Sequence, residues 1–128
     1  MKIRIQGNTL RLRLTQTEVK NFNTKGLVEE KTSFGPSSDS TLTYSIIKAD
    51  CKELEASFKK NKIEIKVPKN LAAVWVNTEM VGLDNASSAI TETDLKILVE
   101  KDFACLKERV GEDESDMFPH PEQDTHNC

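Results

Sequence analysis

Four basic side chains near the start of the chain are the first that could do chemistry. In "KIRIQGNTLRLRL", Lys2, Arg4, Arg11 and Arg13 each stand one residue away from an aliphatic residue. Alternation of that kind is the mark of a half-buried strand, and it places all four cations on one outward face. A two-stranded ribbon of that width can enter a DNA major groove, and cations held against phosphates would bind with steep salt dependence. The same face could equally serve as a charged, solvated strand surface that keeps a sheet edge soluble.

The opposite end carries the second candidate. "GEDESDMFPHPEQDTHNC" has no apolar periodicity and contains two prolines, so it is expected to be an extended, acidic and flexible tail. Met117 and Phe118, flanked by acids, have the look of anchors for a protein partner. A solubilising role, or masking of the basic hairpin, fits the same composition. Cys105, His120, His126 and Cys128 carry zinc-ligating atoms, but their spacing matches no familiar finger, and no metal or other cofactor is expected. Both histidines fall in the tail, so no positioned acid–base pair is visible and an enzyme is not the favoured reading. Nothing near Cys51 marks it as an activated nucleophile. Trp75 is expected in the core.

Bulk composition narrows the classes. A chain of 128 residues with 37% hydrophobic and 30% charged residues suits one soluble globular domain. Three cysteines make no paired disulfide framework, and no membrane-length apolar run or leader-like N-terminus stands out, so a cytoplasmic protein is expected. The net charge of −3 hides a polarity. Residues 1–25 hold six bases against one acid, whereas residues 103–128 hold two bases against seven acids.

The elements that must position these groups follow from periodicity. Residues 2–6 and 9–14 form a hairpin across Gly7-Asn8, with Leu10, Leu12 and Leu14 inward. Thr15-Gln16-Thr17-Glu18 fits a capping box opening a short helix, which buries Val19 and Phe22 and ends at Gly26. Strands follow at 27–34 and 42–48. The second half runs in the same order: strand 54–59, turn, strand 62–67, a helix after Pro68 that buries Ala72 and Trp75, then strands 80–83 and 95–101. A constant offset of 53 residues aligns the halves and pairs, among others, Leu12 with Ile65, Phe22 with Trp75 and Val28 with Val81. The expected organisation is therefore a body over 1–102, made of repeat one (1–49) and repeat two (54–102), plus an acidic tail over 103–128.

"IQGNTLRLRLT" followed by a helix resembles the swapped-hairpin domain of the AbrB and MazE families. Gly7-Asn8 matches their turn and Arg13-Leu14 their Arg-aliphatic ending, with Thr15 where proline is expected. Lys66-Val67-Pro68 matches the ending in the second half, where Lys60-Asn61 replaces Gly-Asn. The resemblance implies a β-rich α+β fold in which two tandem ββαββ units close into one small barrel. It also implies DNA binding through the basic hairpin, or an antitoxin-like use of the acidic tail. The whole chain, with "EKDFACL" and "EDESDMFPHP", further resembles a small bacterial family of uncharacterised proteins. The second half breaks the basic pattern: Glu55, Ser57, Glu64 and Lys66 stand where Lys2, Arg4, Arg11 and Arg13 stand in the first. The leading expectation is therefore a non-enzymatic binding protein, monomer or homodimer, that docks a protein partner through its body or tail. A DNA-binding regulator is the alternative.

Overall fold

The computed structural model describes residues 1–85, 94–103 and 115–119. Its strands are β1 (Lys2–Gln6), β2 (Thr9–Leu14), β3 (Leu27–Ser33), β4 (Thr41–Ala49), β5 (Glu55–Lys59), β6 (Lys62–Pro68), β7 (Gly82–Asp84) and β8 (Lys96–Lys101). Helix α1 (Gln16–Lys25) follows β2, and α2 (Lys69–Asn77) follows β6. Alternating residues make the strands: Leu12, Leu14 and Ile65 are fully buried while Arg11, Arg13, Glu64 and Lys66 between and beside them face outward.

Helix α1 starts where its cap dictates. The Thr15 hydroxyl accepts from the Glu18 amide, the Glu18 carboxylate accepts from the Thr15 amide, and Gly26 closes the helix at φ 73°. Pro68, with φ −54°, opens α2 without a side-chain cap.

Two four-stranded sheets result, in the orders β1-β2-β8-β7 and β3-β4-β6-β5. Each helix carries the chain from one sheet to the other, so each sheet takes two strands from each half of the chain. At the centre of each sheet lies a parallel pair, β2 with β8 and β4 with β6. The 53-residue offset relates these pairings, since Leu12↔Val99 corresponds to Ile46↔Ile65.

The closed α+β barrel expected from the swapped-hairpin resemblance is not formed. The fold is mostly β, with two open sheets and two short helices among the described residues. The edges account for this. β7 is only three residues long and cannot hydrogen-bond a further strand along its length, while the other edges carry charge, β1 at Lys2 and Arg4, β3 at Glu29, Glu30 and Lys31, and β5 at Glu55 and Lys59. The sheets instead share one apolar core with both helices, centred on Phe22 and Trp75, whose rings meet edge to face at 6.1 Å.

A second correction concerns β7. The offset pairs Val28 with Val81, but Val81 is 40% exposed and Leu83 is buried in its place, opposite Val99. Glu79 stands where Gly26 caps α1, and the chain turns back into its sheet two residues later than in the first half. A slip of two preserves which face each residue presents. Gly82 permits the new register, because a Cβ there would lie 2.8 Å from Glu100 Cγ and 2.9 Å from the Val99 carbonyl oxygen.

Candidate binding surfaces

The β1–β2 register sets Lys2 opposite Arg13 and Arg4 opposite Arg11, so the four predicted cations do share one face. Like charges directly opposed repel, and β8 supplies the counter-charges. The Arg11 Nε contacts Glu100 Oε1, and Lys2 Nζ lies 3.3 Å from Asp102 Oδ2. Arg4 hydrogen-bonds Gln6 Oε1 at 3.1 Å. The sequence marks neither carboxylate as a partner of these cations, because a parallel neighbour contributed from the far end of the chain leaves no local signature.

Asp102 sits one step beyond β8. Its amide donates to the Leu14 carbonyl at 2.8 Å, and its side chain is only 2% exposed. Oδ2 has the Lys2 ammonium for charge, but no aligned hydrogen-bond donor among the described residues.

The tail anchors come to the same place. Met117, expected to be free for a partner, is only 7% exposed. Lys2, Arg13, Asp102 and Met117 line one pocket of about 260 Å3, together with Met1, Thr15 and Glu18. Around it the strap Ser115–Pro119 is tied down along its length. The Gln16 amide donates to the Asp116 carbonyl at 3.0 Å, and Gln16 Nε2 donates to the Met117 carbonyl at 2.9 Å. The Phe118 amide donates to the Asp102 carbonyl at 2.8 Å, forming a parallel bridge between Phe118 and Phe103. The Phe118 ring lies 5.7 Å from that of Phe103, and Lys101 Nζ lies 5.5 Å from the Phe118 ring centroid. Thr17 Oγ1 donates to Asp116 Oδ1 at 3.0 Å.

Charge at this end is set by α1. A hydrogen bond from the Thr15 hydroxyl, helped by Thr17 and the Lys20 charge, holds the Asp116 carboxyl below its ordinary value. Burial pushes Glu18 upward, but hydrogen bonds from the Met1 ammonium and from Thr15 outweigh it and leave the carboxyl lowered. The same ammonium reaches Glu30 at 3.0 Å, and Tyr44 Oη donates to the Met1 carbonyl at 3.0 Å. Burial, with Glu30 and Glu18 nearby, raises the Tyr44 phenol.

At the other end of the hairpins lies an apolar groove of about 410 Å3. It is lined by three pairs related by the 53-residue offset: Ile5 with Phe58, Leu10 with Ile63, and Leu42 with Leu95. Ile5 is 57% exposed and Phe58 66%, so both rim residues face water. Alternation marks Ile5 and Phe58 as inward-facing, which they are. It could not show that the strand ends extend beyond the core, leaving an inward face uncovered.

Residues 1–122 match the model of DUF7009, a family of unknown function. The chain belongs to DUF7009. No curated protein and no solved structure matches it. For this DUF7009 chain, function therefore has to be argued from its own surfaces.

The remaining candidates are quickly placed. Trp75 is fully buried, and its Nε1 donates to the Val81 carbonyl at 3.1 Å, a core role. Burial, then Glu55, pushes the Cys51 thiol up against a downward pull from Lys66, the opposite of nucleophile activation. Cys105, His120, His126 and Cys128 lie outside the described residues. Among the described residues no group of three or more metal-ligating side chains converges, and no helix is long and apolar enough to cross a membrane.

Proposed function

We propose that this DUF7009 protein is a non-enzymatic binding module that takes an apolar ridge of a protein partner into the groove between its two hairpins. The observation that carries the reading is the pair Ile5 and Phe58, large apolar side chains left more than half exposed on either side of an apolar trough. Covering their remaining exposed surface would gain about 1–2 kcal/mol each. Exposed Lys59 and Lys60 at the tip beside Phe58, and exposed Lys96 opposite Thr9, favour a ridge with acidic flanks.

The DNA-binding alternative has the opposed pairs Lys2/Arg13 and Arg4/Arg11 in its favour. Against it, Glu100 and Asp102 already hold Arg11 and Lys2, and the second hairpin has no matching cationic face.

The test is site-specific photo-crosslinking in the native cell with a photoreactive phenylalanine at position 58. A discrete adduct that disappears with Ile5→Asp supports the groove, and an adduct of twice the chain mass makes the partner a second copy. Absence of any adduct counts against the groove. Salt-sensitive binding to random duplex DNA at about 50 and 200 mM salt, lost on replacing Arg4 and Arg13 by Ala, would make the regulator the better reading.

A further inference from the structure

The strap Ser115–Pro119 lies along the start of α1 as a bound peptide lies along a receptor. We propose that the cleft formed by the first turn of α1, Asp102–Phe103 and Lys101 is a receptor for short acidic–Met–aromatic peptides. It is filled here in cis by the chain's own strap and takes the same kind of segment from a partner protein.

Three successive side chains are each met by a different chemistry. Asp116 puts its carboxylate on the helix N-terminus, where Thr17 Oγ1 donates at 3.0 Å, the Thr17 backbone helps and the positive end of the helix dipole favours an anion. Met117 is buried and forms one wall of the pocket beside Lys2, Arg13 and Asp102, where its flexible thioether suits an irregular surface. Phe118 packs against Phe103 with the rings tilted at 58°, and the Lys101 ammonium lies 5.5 Å from the Phe118 ring centroid.

Between these points the cleft contacts backbone rather than side chain. Gln16 donates to two strap carbonyls, from its amide and from Nε2, and the Asp102 carbonyl accepts the Phe118 amide. Main-chain bonds give affinity and side-chain pockets give choice, which is how sheet-edge receptors hold extended peptides. A five-residue footprint that satisfies both requirements does not depend on how the peptide is joined to the rest of the chain. Covalent attachment raises the strap's effective concentration to roughly millimolar, so a partner segment must bind well or arrive when the strap is released.

The site lies at the opposite end of the β1–β2 hairpin from the Ile5–Phe58 groove, and the two proposals fail separately. A fluorescent peptide of sequence EDESDMFPHP (residues 112–121) is titrated into the full chain and into a full-length Met117→Asp variant, which loosens the strap. The variant is expected to bind at least tenfold more tightly than the parent. Replacing Asp and Phe in the peptide by Ala should abolish binding, and Phe58→Asp in the protein should leave it unchanged. A folded variant that takes up no peptide at millimolar concentration overturns the proposal, as does equal binding by parent and variant. Should Met117→Asp fail to fold, the parent decides by NMR: millimolar peptide must shift the Gln16, Thr17 and Phe103 amides, and unmoved resonances overturn the receptor.

Discussion

On the outer face of β1–β2, Lys2 faces Arg13 and Arg4 faces Arg11. At the corresponding positions of β5–β6, Glu55 faces Lys66 and Ser57 faces Glu64. Strand lengths, register and buried residues are closely alike, with Leu10, Leu12 and Leu14 matched by Ile63, Ile65 and Val67. The second hairpin balances its own charge, whereas the first depends on carboxylates delivered by β8. A hairpin frame therefore needs its apolar alternation, while its outer charges are free to vary provided a neighbouring strand compensates them. The lysines at the ends of β4 and β8 show the converse. Lys48 Nζ donates to the Asn23 carbonyl at 2.8 Å, and Lys101 Nζ to the Thr78 carbonyl at 2.7 Å. Each satisfies a carbonyl near a helix C-terminus, a requirement both halves share.

The strongest way to break the likeness is at its centre. Leu12→Asp and Ile65→Asp each put a carboxylate where nothing can pair with it, and each should cost more than about 4 kcal/mol and unfold the chain. If urea melts show one variant folded, the two hairpins do not carry equal shares of the core.

Next in size is the strap, which packs on the first hairpin's side and has no described counterpart at the second. Met117→Ala should cost about 2 kcal/mol by thermal melt, and an unchanged midpoint would mean the strap adds nothing to stability. Acid should loosen the same end. Asp116 and Glu18 have lowered carboxyl pKa values, so their contribution is complete at neutral pH and fades as pH falls below about 4. Asp116→Asn should flatten part of that acid limb in fluorescence-monitored unfolding. An identical limb would assign the sensitivity elsewhere.

These regions also mark how far the sequence could be read. Period-two and capping signals are local, so both hairpins, the Thr15/Glu18 box and the Gly26 cap were legible. Sheet closure is not local. Alternation says which face a residue takes, but not which strand lies beside it, so two open sheets could be taken for a barrel. Glu100 and Asp102 went unnoticed as partners of Arg11 and Lys2 because the β2–β8 pairing joins the two ends of the chain. The strap was hidden for a compositional reason: a run of acids around Met117 suggests solvent, and only the three-dimensional start of α1 gives Asp116 a partner.

A smaller effect separates the hairpins by their outer charges. Glu100→Gln leaves Arg11, opposite Arg4, with no carboxylate among the described residues, whereas Glu64→Gln removes a contact with Lys62 at 3.8 Å that Glu29, at 3.4 Å, still supports. Both sites are partly exposed, so the first should cost about 1 kcal/mol and the second less than about 0.5 kcal/mol. Raised salt should narrow the gap. Equal losses would mean that the basic pairs need no help from β8.

The finest distinction lies in the turns. Gly7 joins β1 to β2 at φ 53°, and Lys60 holds the corresponding place between β5 and β6 at φ 50°, followed by Asn61 at φ 62°. Only glycine adopts such angles without steric cost, and an L side chain pays about 1 kcal/mol there. Lys60→Gly removes that cost but gives the unfolded chain more freedom, so the net gain should be about 0.5 kcal/mol. Gly7→Lys should lose about 0.5 kcal/mol, strain of about 1 kcal/mol offset by the lower freedom of its unfolded chain, since apart from the chain neighbours no atom lies within 4 Å of the position a Cβ would take. Opposite signs for the two exchanges, measured by chemical denaturation, would show that a positive φ at the first turn position suits glycine in one hairpin and is only tolerated by lysine in the other. A Lys60→Gly variant that loses stability would mean the lysine side chain holds the tip through contacts that outweigh its strained backbone.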